Sequence, residues 1–413
     1  MRLAVFTSQF PNRVSTFFAR DIRGLLEAGL EIDIFPIYPL DPTLWQYVPD
    51  VLSKDVFPRK RVHHLGLGQA MRPIRPRSGL SRFLRDAPAI CSSAVKFGIG
   101  PLIKSMYVLP KAWAWAEQCP VEYDHVLSYW GNYAATCAYA YHRLAAKSVP
   151  FSILLHAGTD LYRDQVYLRQ KLLYADNIFI VCDFNKQFIH DLYPDVFKRL
   201  SHKICLHHLG LDLADFAFSL DKRSARTVVA VGSHEKRKGF DYLLRAAHQL
   251  VAQGIDIEID MVGKGNETRA LEKLAAELGI STKVKFWGWL RPDKVKSVIK
   301  QATVLVHPSS GLGDAVPTVI KEAMAVGTPV VASNVAGIPE LLDDGRCGIL
   351  VPPQDAQALA KGIEKMLGDD LLRKQYAESA RKHIEKSFNL WENTSRLAKH
   401  LQSTTRQTVN QSI

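Results

Sequence analysis

Residues 303–333 read TVLVHPSSGLGDAVPTVIKEAMAVGTPVVAS, and this stretch decides the fold. It predicts a strand over Thr303–His307, a glycine-rich loop, a helix over Thr318–Val326 and a second strand over Pro329–Ala332. A strand, a loop and a helix that leads into another strand are typical of an open α/β sheet. Such sheets bind ligands outside the carboxyl ends of their strands, so we expect a site at the loop before the helix.

Two series of alternating strands and helices extend through the chain. The series around this stretch has further strands at Thr227–Val231, Ile257–Val262 and Val284–Trp287. The earlier series has strands at Arg2–Phe6, Leu30–Phe35, His125–Leu127, Phe151–Leu155 and Ile178–Val181. We therefore expect an α/β protein with two Rossmann-like domains, residues 1–206 and 222–385, joined by an interdomain linker at 207–221.

Composition and charge narrow the class of protein. The 413 residues are 47% hydrophobic and 23% charged, which excludes a disordered or fibrous chain. A net charge of +12 favours an anionic partner: a nucleic acid, an acidic membrane face or a phosphorylated small molecule. The six cysteines include no C-x-x-C pair, and no apolar run has the length of a signal peptide or of a spanning helix. These features predict a cytoplasmic protein that at most lies on a membrane.

Residues 54–85 form a basic insertion in the first domain. They contain nine Lys and Arg residues, with Pro and Gly, against the single acid Asp55. This segment is either a solvated surface loop or a region attracted to an anionic membrane surface. No nucleic-acid-binding motif accompanies it, so we expect no nucleic acid partner.

The loop before the predicted helix is suited to an anion. Two acids bracket the start of that helix, Asp314 in the loop and Glu322 eight positions later. Amides near the first turn of a helix lack partners within the helix, and the helix dipole favours negative charge there. Ala315, Val316, Pro317 and Thr318 form the backbone of this turn. Its free N–H groups and the helix dipole make it suited to a diphosphate.

The same run resembles the signature of the retaining GT-B glycosyltransferases of group 1 (glycosyltransferase family 4-like), E-x7-E followed by A-x-A-x-G-x-P-V-V-A. Here the match is D-x7-E, continued to Ala332. The resemblance implies a GT-B fold, two Rossmann-like domains facing across a cleft, and a nucleotide-sugar donor held mainly by the second domain. It also implies that Asp314 contacts donor-sugar hydroxyls and that Glu322 holds the ribose. Residues 386–413 resemble the C-terminal helix that crosses back to the first domain, followed by a polar tail.

A second run, VGSHEKRKGFD over 231–241, resembles the family's V-G-R-L-x-x-x-K-G-x-D. It implies that Gly232, Ser233 and Lys238 line the donor site, with Lys238 holding phosphate. Ser233 stands where the family has Arg, and either Lys236 or Arg237 could supply that charge. Two further donor-side residues follow from resemblance: Gly263 in the V-G-x-G loop, and Trp289, which either stacks on the base or belongs to the core.

In the first domain, HAGTD over 156–160 resembles a loop that faces the donor sugar in this family. His156 is therefore expected to position the sugar. The opening FPNRVSTF over 10–17 resembles exopolysaccharide biosynthesis glycosyltransferases. Ser15, Thr16 and Asp160 are the acceptor-side candidates.

The expected activity is retaining, metal-independent hexosyl transfer in cell-surface polysaccharide biosynthesis, from a nucleotide sugar to a glycan or a lipid-linked oligosaccharide. The catalytic candidates are His156, Asp314 and Lys238. No cofactor is expected, because side chains and a helix terminus supply the positive charge and no D-x-D motif lies between predicted strands. Two alternatives remain: a nucleotide-sugar epimerase or hydrolase of the same fold, and a non-catalytic basic binding protein.

Overall fold

A computed structural model of the protein describes residues 1–11, 16–47, 59–70, 79–118, 122–144, 149–221 and 226–411. They form two compact units, Met1–Gly210 with Leu390–Ile413, and Leu211–Asn389. Each unit contains one six-stranded parallel sheet with helices between its strands. The prediction of an α/β protein with two Rossmann-like domains is confirmed.

The first unit has the strand order β2-β1-β3-β4-β5-β6. Its strands are β1 (Arg2–Thr7), β2 (Glu31–Pro36), β3 (His125–Ser128), β4 (Phe151–Leu155), β5 (Asn177–Ile180) and β6 (Ile204–Leu206). Its helices before the linker are α1 (Thr16–Glu27), α2 (Leu67–Ala70), α3 (Leu80–Val95), α4 (Ile99–Gln118), α5 (Tyr133–Leu144), α6 (Gly158–Leu161), α7 (Leu168–Tyr174), α8 (Asp183–Leu192) and α9 (Phe197–Leu200).

The second unit has the strand order β12-β11-β10-β7-β8-β9. Its strands are β7 (Thr227–Val231), β8 (Glu258–Val262), β9 (Val284–Gly288), β10 (Val304–His307), β11 (Val330–Ser333) and β12 (Ile349–Val351). Its helices are α10 (Phe240–Ala252), α11 (Thr268–Glu277), α12 (Pro292–Gln301), α13 (Thr318–Val326), α14 (Ile338–Leu341), α15 (Ala356–Gly368) and α16 (Asp370–Ser387).

The core of the second unit lies on both faces of its sheet. Alternate residues of β7 and β10 point to opposite faces: Val229 and Leu305 join one apolar cluster, while Val228 and Val304 join the other. Strands that are buried on both faces carry continuous apolar runs, which is why these strands are visible in the sequence. The three-residue edge strands β6 and β12 are too short for such a run, and the sequence analysis does not predict them.

The last helix, α17 (Leu390–Gln411), belongs to the first unit. It packs against α1, where the guanidinium of Arg23 lies 5.0 Å from the ring centre of Trp391. Near its end, Thr404 accepts a hydrogen bond from the Asn177 side chain at 3.0 Å. The helix thus extends through the stretch predicted as a polar tail, because its threonines find partners on the first sheet.

Two predictions fall on parts of the chain that the structure does not describe. Ser15 lies outside the described residues, and the basic insertion at 54–85 is described over 59–70 and 79–85. No helix within the described parts is both long and apolar enough to cross a membrane.

Candidate active site

The candidate donor site centres on Asp314, in the loop between β10 and α13. Its carboxylate accepts a hydrogen bond from Arg237 Nη1 at 3.0 Å and a second one from Lys238 Nζ. Both cations come from a single turn after β7, which adjoins β10 in the sheet. Strand order therefore brings together the two motifs that the sequence holds 76 positions apart.

The two cations decide the ionisation of Asp314. Burial acts to raise the pKa of this carboxyl, but the positive charge of Lys238, followed by the contributions of His307 and Arg237, lowers it to about 2. The Asp314 side chain is 25% exposed and that of Lys238 is 11% exposed. The carboxylate is thus ionised at neutral pH, and it balances charge that would otherwise be available to a phosphate.

Arg237 is held in place by a second acid. Its Nε donates to Glu235 at 2.7 Å while Nη1 reaches Asp314, so the guanidinium bridges two carboxylates. Burial acts to raise the pKa of Glu235, but hydrogen bonds from Ser233 and Arg237 lower it overall. Between the two replacements considered for the family arginine, Arg237 is the one whose side chain the structure brings onto Asp314.

His307, the last residue of β10, is a site residue that sequence analysis missed. Its Nε2 lies 3.1 Å from Ser309 Oγ and 3.8 Å from Asp314 Oδ2. The ring is buried, and burial together with the charge of Lys238 lowers its pKa to about 3. A neutral imidazole therefore lies beside the Asp314 carboxylate and shares a hydrogen bond with Ser309. A histidine that ends an apolar strand was the available signal.

Two glycine loops close the site beside Arg237 and Lys238. Gly232 follows β7 and Gly263 follows β8, and the Gly232 amide donates to Val262 at 3.0 Å. Gly263 has a φ of +131°, and a Cβ there would lie 1.9 Å from the Gly232 carbonyl oxygen. Only glycine fits this approach, so the glycine predicted by resemblance has a steric reason in the fold.

The N-terminus of α13 lies next to Asp314 in the chain. Pro317 is extended, with ψ at 123°, and α13 begins at Thr318. The carbonyl of Ala315 accepts a hydrogen bond from Gly337 at 3.1 Å, which fixes the loop before the helix. Val316 and Glu322 are both half-buried, and Val316 packs against the core. The helix-start geometry predicted for an anion site is thus present.

Trp289 follows β9 and is 47% exposed. The alternative that it belongs to the core is therefore wrong. Its indole therefore lies beyond the carboxyl end of β9 with almost half of the residue exposed.

The first unit places His156 in an aromatic surround at the end of β4. Its ring centre lies 4.4 Å from that of Trp130, 5.0 Å from that of Tyr129 and 5.3 Å from that of Phe17. Thr16 begins α1, next to Phe17. The imidazole is 5% exposed, and its Nδ1 lies 3.5 Å from Asp160 Oδ2.

Asp160 organises this part of the first unit through backbone amides. Its buried carboxylate accepts from the amides of His156 at 2.6 Å, Asn132 at 3.1 Å and Gly131. These bonds tie the loop after β3 to the loop after β4. The structure therefore gives Asp160 a positioning role for the loop that carries His156.

Lys171 supports the loop after β3 from inside the unit, and the sequence analysis above does not name it. Its buried Nζ donates to the carbonyls of Gly131 at 2.8 Å and Asn132 at 3.2 Å. Burial lowers its pKa to about 7, opposed by the charge of Asp160. A lysine in a short helix has the local pattern of a surface residue, so this contact could not be predicted from the sequence.

Comparison with known proteins identifies the class. Residues 214–383, nearly all of the second unit, match the model of the family described as glycosyl transferases group 1. D-inositol 3-phosphate glycosyltransferase of Corynebacterium urealyticum is 36% identical over 42% of this chain and 42% of its own length. The chain spans about half of the length of this relative and of other curated relatives with similar scores.

Several matches extend over nearly the whole chain, and two of them illustrate the similarity. The amylovoran biosynthesis glycosyltransferase AmsK of Erwinia amylovora is 24% identical over 94% of this chain and 96% of its own. The crystal structure of Anabaena HepE in complex with UDP-glucose has a TM-score of 0.67 at 16% identity, covering 98% of this chain and 100% of that one. The fold is GT-B, and the resemblance to group 1 glycosyltransferases is confirmed.

Proposed function

We propose that the protein is a glycosyltransferase of polysaccharide biosynthesis that takes its sugar from a nucleotide-sugar donor. The observation that carries the proposal is the convergence of Arg237 and Lys238 on Asp314, beside the start of α13. Two cations and a helix N-terminus at the carboxyl edge of a parallel sheet suit a diphosphate.

Donor binding in this proposal rearranges an existing ion pair. The diphosphate takes over the charge of Lys238 and Arg237, and Asp314 is then free to accept hydrogen bonds from sugar hydroxyls. Lys238 stabilises the negative charge that grows on the departing diphosphate, and this kind of electrostatic stabilisation is often the largest contribution to catalysis. Glu322 holds the ribose, and Trp289 stacks on the base.

Transfer proceeds with retention and without a metal in this proposal. The departing phosphate accepts the proton of the acceptor hydroxyl, which attacks the sugar carbon on the face that the phosphate leaves. The new glycosidic bond forms as the bond to phosphate breaks, so the group lost is the nucleoside diphosphate. His156 positions the sugar, Asp160 holds the loop that carries it, and Lys171 holds the neighbouring loop after β3.

The proposed acceptor is a glycan or a lipid-linked oligosaccharide at the inner face of the cell membrane. AmsK, which matches nearly the whole chain, is named for the biosynthesis of a polysaccharide, amylovoran. The exopolysaccharide-type opening at 10–17 supports the same acceptor class.

Nucleotide binding tests the donor site directly. Thermal unfolding is measured with UDP, GDP, ADP and their sugar conjugates, starting with UDP-glucose because HepE was solved with it. A nucleotide at 100 times its Kd adds about 2.7 kcal/mol to the free energy of unfolding. Glu322→Ala should lose this stabilisation, whereas Glu364→Ala, an exposed glutamate on α15, should keep it. Absence of a shift with every nucleotide would refute the donor site.

Product analysis separates transfer from the alternative activities. With a radiolabelled donor and membrane lipid extract, we expect label in the lipid-linked fraction. Release of free sugar at the same rate without extract would instead show a hydrolase, and an altered donor sugar would show an epimerase.

A further inference from the structure

The helical hairpin of α3 and α4 exposes large apolar side chains around its turn. Five of them are between 40% and 76% exposed, and we call them the hairpin patch: Val95, Phe97, Ile99, Ile103 and Met106. Single exposed apolar residues are ordinary, but several of them around one turn indicate a surface that contacts another apolar phase.

Three of the five residues of the hairpin patch lie on one side of α4, whose opposite side is buried. Ile99, Ile103 and Met106 are spaced by four and then three residues, so they share one face of α4. The other face is buried through residues such as Val108 and Ala112. Packing within the unit therefore holds α4 in place without using the exposed side chains.

The charged residues near the patch in the sequence are all positive. No Asp or Glu occurs over residues 87–116, which contain three lysines. Lys96 and Lys104 are exposed beside the apolar residues, and Lys111 is buried. The Lys104 ammonium lies 5.3 Å from the ring centre of Tyr133, so its stem runs along the protein surface. Apolar side chains rimmed by ammonium groups complement a bilayer with anionic headgroups.

We propose that the hairpin patch inserts into the headgroup and acyl boundary of an anionic bilayer, while Lys96 and Lys104 contact lipid phosphates. The hairpin rests on the surface of the bilayer, since no described helix is suited to span it. The inference deepens the proposed function and rests on it for the lipid-linked acceptor. Binding itself requires neither donor nor acceptor.

Co-sedimentation with vesicles tests the inference on the full chain without nucleotide. Vesicles contain phosphatidylcholine alone or phosphatidylcholine with phosphatidylglycerol. We expect binding to the mixed vesicles, lowered by roughly 100-fold in Ile99→Ser/Ile103→Ser because most of two apolar side chains is lost. Lys96→Gln/Lys104→Gln should lower binding to the mixed vesicles by roughly 30-fold, because each lysine near an anionic surface contributes about fivefold.

A matched control separates the patch from general apolar exposure. Leu371 on α16 is 66% exposed in the second unit, and Leu371→Ser should leave vesicle binding unchanged. All substituted side chains are exposed, and unchanged melting temperatures confirm that the variants fold. Each preparation is also given the nucleotide that stabilises the native protein, because that thermal shift reports the donor site independently of lipid.

Three results would overturn the inference. The first is absence of native binding to the mixed vesicles, and the second is equal binding by Ile99→Ser/Ile103→Ser. The third is a native dimer, seen by sedimentation velocity, that this variant loses while vesicles are not bound. That result would assign the hairpin patch to a second copy of the chain.

Discussion

Asp314→Asn removes the negative charge that Lys238 and Arg237 share, and it keeps the shape of the side chain. The structure predicts opposite effects on stability and on nucleotide binding. Stability should fall, because the ion pairs at the loop before α13 are lost. Affinity for a nucleoside diphosphate should be equal or up to roughly tenfold higher, because no carboxylate competes for the cations.

The size of the stability effect follows from the pKa of Asp314. Lys238, His307 and Arg237 outweigh burial and lower it from 3.8 to about 2. At about 1.36 kcal/mol for each pH unit, the ionised carboxylate contributes about 2 kcal/mol to folding at neutral pH. For a domain of this size, that corresponds to a melting temperature lower by about 4 to 8 °C in the variant.

The pH dependence gives the effect a direction. An acid whose pKa is lowered by folding contributes stability above its ordinary pKa and loses it as the pH falls through the lowered value. The free energy of unfolding of the native protein should therefore exceed that of Asp314→Asn by a constant amount above pH 4. This difference in stability should shrink as the pH falls towards about 2.

The assay is thermal unfolding of native protein and variant between pH 3 and pH 8, with and without UDP, alongside donor turnover. Asp343→Asn is the control: this carboxylate pairs with Arg346 at 2.6 Å at the surface, where such a pair contributes about 1 kcal/mol or less. Asp314→Asn should turn over the donor at least roughly 100-fold more slowly while it retains nucleotide binding. Loss of nucleotide binding together with activity would refute the competition between carboxylate and phosphate.

Three further expectations concern single contacts. Gly263→Ala should destabilise the protein by about 3 kcal/mol or more, because its Cβ would meet the Gly232 carbonyl. Gly254 also has a positive φ but faces open space, so Gly254→Ala should cost about 1 kcal/mol in the same melts. Lys171→Met should abolish the rise in stability that the native protein shows from pH 7 towards pH 10, where the unfolded lysine still binds a proton and the folded one does not. Trp289→Ala should leave the melting temperature within about 2 °C and weaken nucleotide binding by about 1 to 3 kcal/mol, measured by calorimetry.

Five strands of the second unit and its helix α13 could be predicted to within a residue. Predicted Thr303–His307 and Thr318–Val326 correspond to β10 (Val304–His307) and α13 (Thr318–Val326). These segments can be recognised in the sequence because a parallel sheet is buried on both faces and its strands are continuous apolar runs. The helix can be recognised because Pro317 and Gly327 bound it. The short edge strands β6 and β12 and the full length of α17 could not be predicted, because they depend on partners elsewhere in the chain.

The candidate site shows a similar division. The sequence predicts Asp314, Lys238 and Gly263 in loops that follow strands. Open α/β sheets bind ligands at the carboxyl ends of their strands. The sequence did not decide whether Lys236 or Arg237 replaces the family arginine. It also did not decide whether Trp289 stacks on the base or belongs to the core. Neighbouring positions in one turn have the same local pattern, so only the three-dimensional contact with Asp314 distinguishes Arg237.

By itself, then, the sequence determined the two series of strands and helices and the loops that carry polar residues, since burial and turn chemistry leave local, periodic marks. Tertiary structure decided which charges meet. Because β7 and β10 are adjacent, Lys238 pairs with Asp314. Burial keeps His307 neutral. The buried carboxylate of Asp160 accepts hydrogen bonds from backbone amides. Packing also left the hairpin patch uncovered. Such contacts join residues far apart in the chain, and their energies depend on solvent exclusion that no local pattern records.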